Sequence, residues 1–84
     1  MPKRYPPLSY RDTVTILEAF DFILKATKGS HEQWEGNTRG KHRKVTLQKG
    51  AEYDERDIRS HILQAGVSRE EYYGASPRTA KKIS

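Results

Sequence analysis

Apolar residues recur at helical spacing from Tyr10 through Val14 and Leu17 to Phe20, with Ile16 widening the stripe. Arg11, Thr15 and Glu18 fall on the opposite side. Ser9 stands in front as an N-cap, with Asp12 in the capping-box position, so the pattern predicts a first helix over 9–20. Asp21 is a poor stop signal and predicts a soft exit. The period then shortens. Phe22-Ile23-Leu24-Lys25-Ala26-Thr27 is rich in aromatic and branched residues and reads as a strand. Lys28-Gly29-Ser30 turns the chain into a second strand, His31-Glu32-Gln33-Trp34-Glu35, closed by Gly36-Asn37 as a breaker pair. After a looser turn over 37–41, Arg43-Lys44-Val45-Thr46-Leu47-Gln48 alternates polar and apolar as a half-buried third strand.

A second helix follows. Asp54 is its N-cap and Asp57 takes the capping-box place. Ile58, Ile62 and Leu63 supply its apolar face, with Ala65 behind them, and Gly66 is its left-handed end. Ser68-Arg69-Glu70-Glu71 is a further capping box, opening a short helix through Tyr72 and Tyr73, which the pattern leaves exposed. The expected class is α+β: a three-stranded antiparallel meander with two helices on one face, α-β-β-β-α, plus a short C-terminal helix. Residues 1–8 read as an extended, proline-stiffened arm, 9–73 as the domain and 74–84 as a basic disordered tail. Strand parity turns Trp34, Val45 and Leu47 toward the helices and Lys44, Thr46 and Gln48 outward. His31, three residues from Trp34, falls on the open face unless a bulge reverses it.

Eighty-four residues make one small domain with a modest core. There is no cysteine, hence no disulfide and no thiolate metal site. No apolar run reaches the length of a membrane span, and the basic start has no apolar segment behind it to act as a signal peptide, so the cytoplasm is the expected compartment. Charge adds more. The formal net charge is +5, and over 25–49 seven basic residues outweigh two acidic ones by the same amount. Residues 50–73 instead carry a surplus of acids. A basic middle of this kind suits a phosphate-bearing partner; solvated lysines on an edge strand are the plain alternative.

Candidate chemistry is sparse. No Walker glycine loop and no paired-histidine metal motif is present, and His31, His42 and His61 sit on separate elements without zinc-site spacing, so neither metal nor cofactor is expected. His61 reads as a surface or half-buried packing residue, and His42 as part of a solvated basic turn with a weak phosphate-contact role. His31 by spacing alone is a hairpin residue. Trp34 and the tyrosines read as core or boundary packing before base stacking.

Ser9-Tyr10-Arg11-Asp12, the stripe through Leu17 and Phe20, Lys28-Gly29-Ser30-His31, Trp34, Val45-Thr46-Leu47 and the run from Ile58 to Gly66 together resemble the HicA (YcfA-like) toxin family. The likeness runs from about Ser9 to Gly66 in family order. It departs at Asp21, where the family often has glycine before the aromatic. The resemblance implies a fold like a double-stranded RNA-binding domain, an mRNA interferase of a type II toxin–antitoxin system, and neutralisation by a HicB antitoxin. It places the family's catalytic histidine on His31. The implied reaction is metal-free RNA cleavage, a histidine taking the proton of a ribose 2′-hydroxyl that then attacks the adjacent phosphorus. Lys28, Arg43 and Lys44 are candidates to hold the phosphate, and Lys25, Ser30, Arg39, Lys41 and His42 extend the expected RNA-binding set. For the general acid, His42, Lys28 and water are open. Two other readings stand beside it: a non-catalytic double-stranded RNA-binding module, and a protein whose basic face meets an acidic protein partner.

Overall fold

A computed structural model describes residues 4–84 of the chain. It is α+β, built on a three-stranded antiparallel sheet of β2 (Ile23–Lys28), β3 (His31–Thr38) and β4 (Lys41–Gln48), in that spatial order. Helices α1 (Tyr10–Ala19) and α2 (Glu55–Ala65) are the two main helices, followed by short helices α3 (Arg69–Gly74) and α4 (Pro77–Ala80). A two-residue ladder outside the meander joins β1 (Leu8–Ser9) to β5 (Glu52–Tyr53).

Both long helices start as their capping residues dictate: Ser9 and Asp54 each accept from the N3 backbone, and Asp12 and Asp57 return the bond. Their ends differ. Gly66 closes α2 in the left-handed region at φ +72°. At the end of α1 Asp21 takes that role at φ +64°, its N–H bonding to Glu18 O and that of Phe22 to Leu17 O. This is a Schellman closure made without glycine, a sharp end where the sequence predicts a soft one.

The core gathers Leu8, Ile16, Leu17, Phe22, Trp34, Val45, Leu47 and Ile58, and the parity of β3 and β4 holds: Trp34, Val45 and Leu47 are buried, while Lys44, Thr46 and Gln48 are exposed. The strands run longer than predicted. Gly36 and Asn37 lie inside β3, because Gly36 packs on the Phe22 ring; a Cβ there would stand 2.6 Å from Phe22 Cδ1. The β3–β4 turn is correspondingly tight, with Arg39 and Gly40 both at positive φ, as a two-residue I′ hairpin requires.

Four further expectations need correction. Tyr72 and Tyr73 are fully buried, not exposed, and the Tyr73 hydroxyl donates to Pro6 O at 2.7 Å. The segment 74–84, expected to be disordered, forms α4, where Thr79 is buried and donates to Tyr73 O, and Arg78 pairs with buried Asp12 at 3.0 Å. Residues 4–8 of the expected arm join the domain through Leu8, fully buried, and the β1–β5 ladder; residues 1–3 of that arm lie outside the described residues. On α2, Leu63 is 80% exposed and His61 takes its place on the buried face with Ile58, Ile62 and Ala65. The i, i+3, i+4, i+7 set thus contains a histidine, which an apolar count passes over.

Candidate active site

Lys28 and His31 face each other across a two-residue turn, Gly29-Ser30. Gly29 has φ +62°, and no non-glycine residue of the turn has positive φ, the pattern of a II′ hairpin with glycine first. The Lys49 N–H donates to Ser30 O at 2.7 Å, tying the turn to the end of β4. His31 therefore sits in register between Lys28 on one side and Gln48 on the other.

The outward direction of His31 is enforced by its neighbour. Glu32 points into the protein, 3% exposed, and its Oε1 accepts from the Tyr10 hydroxyl at 2.7 Å and from Trp34 Nε1 at 3.2 Å. Burial and that carboxylate push the Tyr10 phenol up to about 12, so it remains the donor across the neutral range. With Glu32 and Trp34 locked inward, pleating leaves His31 and Gln33 on the open face, where both are exposed. The irregularity in the sheet lies between Leu24 and Ala26 of β2, not at the start of β3, and the side of His31 follows parity. This bulge puts Ala26 opposite Gln33, so Ala26 and Lys28 share the face of His31.

His31 stands between two concavities. One is an apolar depression of about 430 Å³ on the open face, lined by Ala26, Lys28, His31 and Gln33. The other is a cleft of about 270 Å³ where the end of β4 meets β5 and α2; Gln48, Glu52, Tyr53, Asp57 and His61 help to line it. His61 is 5% exposed, and its ring meets the Tyr53 ring edge-on at 4.8 Å between centroids. Desolvation pushes its pKa below the ordinary histidine value, against the opposing pull of the Asp57 carboxylate one helical turn away. Among the described residues, no group of three or more His, Asp or Glu side chains is arranged to hold a metal ion.

The predicted RNA-binding residues do not form one surface. Lys28 and Ser30 flank His31, and Lys25 lies at the bulge on the same strand. Lys44 is exposed on the open face opposite Glu35. Arg39 and Lys41 sit at the other hairpin, seven or more residues along β3 from His31, or about 23 Å at the usual strand rise. Three of the expected contacts there are engaged within the protein. Arg39 bonds Glu71 at 2.7 Å and Gly66 O at 2.8 Å; His42 Nε2 lies 3.0 Å from Glu35. Arg43 turns to the helix side, its Nε donating to Thr38 Oγ1 at 3.2 Å and its guanidinium lying against Gly66, where a Cβ would come within 2.5 Å. Arg43 has the parity of Val45 and Leu47, a signal present in the sequence that its charge obscures. Sequence reasoning also missed Lys49, Glu52 and Asp57 beside the site. They come from a loop, a two-residue strand and a helix start, and no local pattern joins them to His31.

The chain matches no family model, no curated protein and no solved structure. No helix among the described residues is long and apolar enough to cross a membrane.

Proposed function

We propose that the protein is a metal-independent endoribonuclease acting on mRNA, the toxin component of a toxin–antitoxin pair, with His31 as general base. The observation that carries the reading is the placement of His31: exposed on the open sheet face, directly after a tight turn, opposite Lys28 and between two concavities. A side chain so placed can reach a ribose 2′-hydroxyl on a strand lying over the sheet, because nothing on that face has to move aside. In-line attack of the 2′-oxygen on the adjacent phosphorus forms the new P–O bond and breaks the bond to the 5′-oxygen. The products are a 2′,3′-cyclic phosphate and a 5′-hydroxyl end. Lys28 is placed to offset the charge growing on the phosphoryl oxygens. His42, six residues along β3 in register and so about 20 Å from His31, is too distant to protonate the leaving group. Lys28 and water remain as the acid. The resemblance to HicA adds a HicB-like antitoxin as protein partner, and the cytoplasm, where message is translated, as the place of action.

The test is cleavage of single-stranded RNA by the purified protein in EDTA, wild type beside His31→Ala. Cleavage by the wild type and its loss in the variant, with an unchanged melting curve, is the expected result. Equal cleavage by both proteins would remove His31 from the mechanism. Tight, salt-sensitive binding of duplex RNA without products, unaffected by the substitution, would instead make the protein a non-catalytic RNA-binding module.

A further inference from the structure

The cleft beside His31 has the wrong charge for a phosphate. Glu52 and Asp57 both line it, and Gln48 adds further polar lining. An RNA phosphate entering there would meet two carboxylates. A nucleobase would not be repelled by them, since a carboxylate accepts hydrogen bonds from the imino and amino groups of a base edge. The cleft also contains aromatic rings. Tyr53 and His61, held edge-on to each other, form part of its wall, and His61 is the one histidine of the chain that is buried.

His61 is costly where it is. Its Nδ1 is buried without a hydrogen-bond partner among the described residues. An unpartnered buried polar atom carries a desolvation cost that an apolar residue of similar size would not incur. Yet the ring lines a cleft, and desolvation lowers its pKa, which favours the neutral imidazole there over a cation. At about 270 Å³ the cleft lies just under the usual range for small-molecule sites and admits one base, not two stacked ones.

We propose that this cleft is a nucleobase subsite that selects the nucleotide next to the scissile phosphate, with Asp57 and Glu52 accepting from the base edge and Tyr53 and His61 forming the wall against which the base lies. The assignment rests on the nuclease reading only for the role of the selected base in cleavage; the pocket itself is defined independently of catalysis. Guanine fits best. Its N1–H and N2–H₂ present adjacent donors to a carboxylate, whereas uracil offers a single N3–H between two acceptors.

Free nucleosides test the subsite without phosphate and without cleavage. Titration of the wild-type protein with guanosine and with uridine, followed by the NMR resonances of the His61 and Tyr53 rings, is expected to show saturable shifts with guanosine and weaker ones with uridine. Glu52→Gln, an exposed substitution that leaves the fold intact, and Asp57→Asn are each expected to weaken guanosine binding about fivefold or more, the low end for losing a bidentate pair. In a randomised RNA cut by the wild type, the same two variants are expected to lose preference at one position next to the cut. Guanosine binding with no cleavage of any RNA would refute the nuclease and retain the base subsite. Cleavage by His31 with no nucleoside-dependent shifts, and with the cut-site preference unchanged in both variants, would overturn the subsite and leave the nuclease standing.

Discussion

The two hairpins of the sheet are built alike and used differently. Each is a two-residue turn with glycine at positive φ, and each is flanked by basic residues. At the Thr38–Lys41 end, Arg39 joins Glu71 and the α2 terminus, Arg43 packs on Gly66, and His42 meets Glu35. At the Lys28–His31 end, Lys28 and His31 have no ion-pair partner among the described residues and stand exposed. The difference follows from what lies behind each turn. The C-terminus of α2 and the start of α3 abut the far hairpin and supply carbonyls and a carboxylate. The near hairpin is backed only by Lys49 and the cleft. A basic residue count treats the ends as equal, whereas the neighbours make one a fastening and the other a free surface.

His31→Ala makes the sharpest test of that contrast. It is expected to lower RNA cleavage by ~10²–10⁴-fold, the usual contribution of a general base, without moving the melting temperature. His42→Ala at the other end should leave cleavage at the wild-type level. If His42→Ala were the inactive variant, the contrast would be reversed.

The second test concerns charge. Lys28→Ala and Lys49→Ala are each expected to flatten the dependence of RNA affinity on salt, by about one unit of log–log slope per phosphate contact removed. Arg39→Ala should leave that slope unchanged. Filter binding from low to high salt would separate the two ends.

Stability should respond in the opposite sense. Arg43→Ala removes the bond to Thr38 and the packing on Gly66, and is expected to cost about 1–2 kcal/mol by denaturant titration while cleavage per folded molecule stays constant. Asp21→Gly, which relieves the left-handed strain at the end of α1, should stabilise by roughly 0.5–1 kcal/mol and touch neither hairpin.

The smallest effect is on pH dependence. The Arg39 guanidinium, helped by the Ser68 N–H, holds the Glu71 carboxyl down from 4.5 to about 2. The folded state therefore keeps a charge that the unfolded chain loses, so this contribution is complete above about pH 4.5 and drains away as pH falls toward 2. Glu71→Gln is expected to reduce the slope of stability against pH in that window, and Lys28→Ala to leave it unchanged. An identical slope in Glu71→Gln would mean that the far ion pair does not fasten the fold.

Much of this architecture was legible from local chemistry. The capping boxes at Ser9, Asp54 and Ser68 mark three helix starts, and the glycine after Lys28 marks the turn that presents His31. The misses share a cause. Tyr72 and Tyr73 are buried in a core assembled from residues far away in sequence, and the Tyr73 hydroxyl reaches Pro6; Leu63 is exposed because α2 lies along β4 on its other face. Gly36 reads as a breaker until the Phe22 ring is placed above it.

The sequence by itself determined the two long helices, the three strands of the meander, their parity and the side of the sheet on which His31 stands, but not the β1–β5 ladder or α4. Hydrogen bonding within a few residues and the twofold pleat of a strand are local, and the order of residue types along the chain is enough to read them. Only the tertiary structure decided which charges remain available and that a carboxylate-lined cleft adjoins the histidine. Both depend on α2 crossing the end of β4, a meeting of residues some thirty positions apart, such as His31 and His61. No local pattern encodes that approach; it results from burying the Ile58 and Ala65 face of the helix in the same core as Trp34, Val45 and Leu47.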